Sequence, residues 1–201
     1  MQKIIIENFK CFHNIEIKLN ELTVFAGGNG NGKSSAIQAL LLLRRTIEHC
    51  GEWKTNHFEF NEINNLDVQL NDAYCLSLGN SEHILHVEYE MPKIKLGFSS
   101  ENKAFKVSYD VNNGQELFIT PHSIEQDSFK FPQNQLFYQE FYYLNAERLG
   151  PRIAQTLKFY DYYNVGFQGE LTAQIIADID SLERKTTFEI DKDRVLNDSI
   201  Y

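Results

Sequence analysis

The chain has 201 residues and a formal net charge of −9, about the length of one compact domain. Its 42% hydrophobic content, with 15 Phe and 10 Tyr against 4 Pro, is globular and excludes intrinsic disorder. No run of about 18 uncharged apolar residues occurs, so a transmembrane helix is excluded, and the acidic balance gives no support to wrapping a nucleic-acid backbone.

Glu7 follows too soon after Met1 for a secretory leader, and no small-residue cleavage site follows it. Cys11, Cys50 and Cys75 are widely spaced and odd in number, which argues against a disulfide framework and against a zinc site. A cytoplasmic protein is the expectation.

The first predicted elements are strands. Residues 3–9 are β-branched and 15–19 alternate with period two, so they read as two strands joined by a turn. Residues 22–26 form a short apolar run with the composition of a buried, parallel strand. Gly27-Gly28-Asn29-Gly30-Asn31-Gly32-Lys33-Ser34-Ser35 follows at once. Residues 36–49 are rich in strong helix formers, and Gly51 is a natural stop.

From about Asp67 to Thr120, five short alternating runs recur at 74–78, 83–90, 93–98, 104–111 and 116–120. Turn residues separate them, and Asn113-Gly114 is a strong hairpin signal. An antiparallel meander with one wet face is expected. Residues 121–135 read as a polar connector and 136–144 as another buried strand. A helix is expected from Leu171 to about Arg184, and the charged stretch from Lys185 has no convincing period.

Residues 27–34 fit the pattern G-x-x-x-x-G-K-[ST] at every fixed position. Phosphate oxygens must be approached by backbone N–H groups in a tight arc, which residues without a Cβ allow. A helix beginning near Lys33 offers free N–H groups and its positive end to the same anion. The expected cradle is Gly27, Asn29, Gly30, Asn31, Gly32, Lys33, Ser34 and Ser35. Lys33, the expected catalytic residue, should reach the β- and γ-phosphates, Ser34 should ligate Mg²⁺, and Ser35 should donate to the α-phosphate. The alternative is a glycine turn that merely precedes a helix; the order strand, loop, helix favours the phosphate reading.

No Asn-Lys-x-Asp element for guanine is present, since Asn102-Lys103 continues Ala104-Phe105. Residues 6–12, 22–27 and 32–40 together resemble the head domains of ABC-type ATPases of the RecF, SMC and OLD group. Tyr143 to Arg152, with Val165 to Glu170, resembles a branch described as predicted AAA-type ATPases, several of which act in DNA repair or phage defence. The resemblance implies an α/β P-loop NTPase with a mixed sheet, a Walker A helix and an inserted antiparallel meander. It also implies ATP and Mg²⁺ as ligands, a homodimer or a partner ATPase or effector chain, and DNA contact through the assembly.

The expected organisation is one lobe over 1–201. Residues 1–65 hold the first strands, loop and helix, 66–135 the β subdomain, and 136–201 the returning strand, a Q-loop-like segment and a helix. Within these residues there is no four-residue apolar run ending in Asp-Glu and no LSGGQ-type signature; 173–178 is a decoy. The Walker B and signature half is expected to be lacking, so the chain should bind nucleotide better than it hydrolyses it. A non-hydrolysing, nucleotide-dependent assembly module and a split ATPase completed by a partner chain are the alternatives.

Lys10 either approaches the nucleotide, as the resemblance implies, or is a solvated strand lysine. Glu147 and Arg148 fall near the expected Q-loop, where Arg148 binds phosphate or forms a structural carboxylate pair. His83-x-x-His86 would point to opposite faces of a strand, which suits a polar face better than a metal. Arg44-Arg45 suits the helix C-terminal dipole better than DNA, Cys11 reads as a small core residue, and the aromatics 137–143 read as core.

Overall fold

The computed structural model describes residues 2–54, 57–60, 67–100, 103–111, 115–126, 135–150, 152, 154–155, 157–160, 162–181, 187–191 and 194–197. The chain divides into two compact units, residues 1–141 and 142–201.

In the first unit, β1 (Gln2–Phe9) and β2 (Phe12–Leu19) form an antiparallel hairpin in the register Ile4–Ile17 and Ile6–Ile15. Helix α1 (Lys33–Cys50) follows the glycine loop. It stops at Gly51, whose extended backbone opens β3 (Gly51–Lys54), paired with β4 (His57–Phe60). The short β5 (Val68–Gln69) precedes a meander of β6 (Lys93–Ser100), β7 (Lys103–Asp110) and β8 (Phe118–Gln126). These strands make a six-stranded sheet in the order β2-β1-β6-β7-β8-β5.

The period-two pattern explains which face is buried. Ile94, Leu96 and Phe98 on β6, and Phe105, Val107 and Tyr109 on β7, are all buried. Ala39, Leu42, Leu43 and Ile47 of α1 are fully buried, and the helix contacts β1, β6, β3 and β5. Each such large side chain contributes about 1.5–3 kcal/mol on burial. A buried polar contact also joins helix and sheet, a 2.6 Å hydrogen bond between the hydroxyls of Thr46 and Tyr109.

Several expected elements differ. Residues 22–26 form no strand: Leu22 is 79% and Val24 76% exposed. Apolar content alone does not make a strand; a neighbour must take up its backbone groups, and among the described residues none pairs with this segment. Every described pairing is antiparallel, so the described strands do not form the mixed sheet expected.

Residues 136–144 hold one short 3₁₀ turn, Gln135–Phe137, and no strand. Their carbonyls are claimed by side chains instead. Arg44 donates to the oxygens of Leu136, Tyr138 and Gln139, and Trp53 Nε1 to that of Phe137 at 2.7 Å.

Of the five alternating runs, the last three become β6, β7 and the start of β8. The first two become 3₁₀ turns at Ala73–Cys75 and Ser81–Ile84. Positive φ at Asp72, Tyr74 and Cys75 breaks extension in the first, and the Asn80 side chain caps the second by accepting from the His83 N–H. The polar connector is shorter than expected, because β8 pairs with β7 as far as Gln126 across a register shift beside Pro121. The Asn113-Gly114 turn lies outside the described residues.

The second unit holds an irregular segment, α2 (Thr172–Ser181), and an antiparallel pair, β9 (Thr187–Asp191) and β10 (Arg194–Asn197). The helix agrees with expectation over its described part; the strand pair was not legible in the charged sequence. No helix among the described residues is long and apolar enough to cross a membrane.

Candidate nucleotide-binding site

The glycine loop reaches α1 through backbone that other residues rarely adopt. Gly27, Gly30 and Gly32 have φ of 149°, 83° and 78°. Gly32 is the N-cap of α1, with no side-chain cap, and no acidic residue occupies the first turn. The first intrahelical bond runs from the Ala36 N–H to the Gly32 carbonyl at 2.9 Å. The preceding N–H groups therefore have no intrahelical acceptor, and the first turn of this 18-residue helix carries no acidic residue to offset its positive end.

Gly32 is also required sterically. A Cβ there would come within 2.7 Å of Phe12 Cζ and 2.8 Å of Cys11 Sγ. The turn after β1 thus packs against the loop, and Cys11 is exposed there rather than in the core, correcting its expected burial. Cys11 sits at the tip of the two-residue turn between β1 and β2, where its side chain is left exposed.

Lys33 is half-buried and Ser34 exposed. The Lys33 ammonium donates to the carbonyls of Gly27 at 2.8 Å and Gly28 at 2.6 Å. Both contacts are to neutral acceptors, which an anion replaces favourably because charge-assisted bonds are about twice as strong. Gly27 through Ser35 come together as one arc on the helix end. Around Gly30 nothing lies within 4 Å of where a Cβ would sit. The donor set of backbone N–H groups, an ammonium and a hydroxyl fits phosphate oxygens and a hard divalent cation.

Lys10 has φ of 50°, and its N–H donates to the Ile84 carbonyl. Its Nζ donates to Gln38 Oε1 on α1 at 2.8 Å, and burial lowers its pKa from the ordinary 10.5. It is therefore tied to the helix flank beyond the loop, not solvated. Gln38, its partner, was not singled out from sequence; its place one turn past Ser34 was the available signal.

Arg148 and Glu147 are exposed in the second unit. The nearby Gly166-Phe167-Gln168-Gly169-Glu170 is a compact turn, with positive φ at Gly166 and Gly169. Burial opposes ionisation of Glu170, but backbone N–H groups of Gln168, Glu170 and Phe167 donate to its carboxylate and hold its pKa down.

His83 and His86 are not on a strand. His86 packs edge-on against His13 and accepts from the Glu88 N–H, and no metal-binding trio of His, Cys, Asp or Glu exists among the described residues. Arg44 lies in the core at 2% exposure, beside Glu48, with the rings of Trp53 and Phe141 at 4.9 and 4.8 Å. Dipole compensation is not its role. Of the aromatic run, Phe137 is core, whereas Tyr142 is 62% exposed.

A glycine arc leading into the N-terminus of a helix that packs on a sheet has the form of a P-loop domain. A family model described as an AAA ATPase domain matches residues 1–195, and the chain belongs to that family. Comparison with curated proteins and with solved structures gives no match. Nucleotide binding and ATPase chemistry go with this domain type.

Proposed function

We propose that the chain binds Mg·ATP through residues 27–35 as part of an ABC- or SMC-like ATPase assembly, acting in the cytoplasm in DNA repair or anti-phage defence. The carrying observation is the uncapped N-terminus of α1, reached through three positive-φ glycines. The loop and first-turn N–H groups hold the phosphates. Lys33 exchanges the carbonyls of Gly27 and Gly28 for the β- and γ-phosphate oxygens, and Ser34 supplies a hydroxyl ligand for Mg²⁺. Lys10, fixed to Gln38, adds positive charge near the helix flank. Mg·ATP supplies the phosphoanhydride and the cation that offsets its charge.

A second reading, an ATPase completed by another chain, is favoured by the exposed segment 22–26, which no strand among the described residues pairs with. Two apolar side chains alternating along an open backbone suit a strand that another element completes.

The test is calorimetric titration of Mg·ATP and Mg·GTP into the chain and Lys33→Ala, followed by phosphate release. Expected is ATP binding that is lost in Lys33→Ala, with negligible release by the chain alone. Rapid turnover would sink the idea that the catalytic parts come from elsewhere. Absence of binding by either nucleotide would overturn the nucleotide reading.

A further inference from the structure

The second unit contains a half-open cavity of about 810 Å³, lined by its own residues. Leu144, Val165 and Ile176 give its wall apolar surface, and Arg148 and Arg152 give it two guanidinium groups. That volume is in the usual range for organic ligands.

The charge arrangement is the informative part. In a chain of net charge −9, arginines have abundant carboxylates to meet. Yet among the described residues neither Arg148 nor Arg152 has an ion pair or a hydrogen bond. The carboxylate on the same wall, Glu170, is already engaged by the Gln168 N–H at 2.8 Å. Among the described lining residues, two arginines against one glutamate leave the wall net positive. Two guanidinium groups on one concave wall, with a single carboxylate there that is already bonded to backbone, can close together on one anion.

We propose that this cavity binds a small phosphate monoester with an apolar body. Arg148 and Arg152 take the phosphate, and Leu144, Val165 and Ile176 take the body. A phosphate monoester carries about −1.5 to −2 charge at neutral pH, which two guanidiniums match better than a carboxylate would. The inference is independent of the nucleotide site at residues 27–35.

Phenyl phosphate titrated into the ¹⁵N-labelled chain tests it by NMR. Saturable shifts are expected at the Arg148 and Arg152 side chains and at the Val165 and Ile176 amides. They should persist in Lys33→Ala and weaken at least ten-fold in Arg148→Gln/Arg152→Gln. Both arginines are exposed, so this variant should stay folded, as its amide spectrum would show. Inorganic phosphate should bind at least ten-fold more weakly than the phenyl ester. No shifts at these residues, their loss in Lys33→Ala, or unchanged affinity in the double variant would each overturn the proposal. Equal affinity for inorganic phosphate would overturn its apolar half. Failure of the nucleotide reading is scored separately, by Mg·ATP at residues 27–35.

Discussion

At the scale of the residue, Gly32 carries two constraints at once. Its φ of 78° is unfavourable for any L side chain, and a Cβ would meet Phe12 and Cys11 at under 3 Å. Gly32→Ala is therefore expected to cost about 1–3 kcal/mol, combining backbone strain and overpacking. Urea denaturation gives that number, and calorimetry should show weakened Mg·ATP binding in the same variant. Normal affinity would mean that the loop relaxes without disturbing its N–H groups. The glycine pattern was legible in sequence because backbone conformation at a glycine is a local matter. The contact with Cys11 and Phe12 was not, because it joins residues some twenty positions apart.

At the scale of the element, α1 is attached on two sides by different means. Toward the sheet, Thr46 and Tyr109 share a fully buried hydroxyl pair, and Thr46 also donates to the Leu42 carbonyl. Thr46→Val strands the Tyr109 hydroxyl and should cost about 1–3 kcal/mol. The double variant Thr46→Val/Tyr109→Phe should be more stable than Thr46→Val alone, since it removes both partners; a less stable double variant would deny the coupling. Toward residues 136–141, Arg44 is the attachment. Its guanidinium reaches three backbone carbonyls, Glu48 and the Tyr74 hydroxyl, which also bonds Glu48. Arg44→Ala leaves these acceptors without their donor and should cost about 3–5 kcal/mol. Arg44→Lys should recover only part, because an ammonium lacks the planar fork. Trp53, the only tryptophan, lies over Arg44, so its fluorescence reports whether the attachment survives.

At the scale of the whole molecule, buried acidic hydrogens give the stability one direction on the alkaline side. Burial raises the Cys50 thiol from 9.0 to about 11. Burial also raises the phenols of Tyr109 and Tyr74 above 10.0, Tyr74 with added help from its Glu48 hydrogen bond. A group whose pKa is raised on folding has its full stabilising effect below the unfolded value. The unfolded chain ionises first as pH rises, so stability is lost between pH 9 and about pH 11. Cys50 alone accounts for a loss of up to about 2–3 kcal/mol across that window. Denaturation midpoints at pH 8 and pH 10.5 should fall less in Cys50→Ala than in the parent chain. An equal fall in both would exclude Cys50 as a source.

The sequence by itself determined the glycine loop, the helix after it and the hairpin before it, and pointed to the ATPase family that the chain belongs to. Those features rest on interactions within a few residues: glycine conformations, i to i+4 bonds, and an apolar stripe at period 3.6. A helix satisfies its own backbone, so its existence follows from its residues. Tertiary structure decided everything that needed a partner. Residues 22–26 and 136–144 have equally good strand composition. The first stays open because no described strand lies beside it, and the second gives its carbonyls to Arg44 and Trp53. The burial of Arg44, the exposure of Cys11 and the arginine-lined cavity were settled likewise, because each depends on which distant residues the fold brings together.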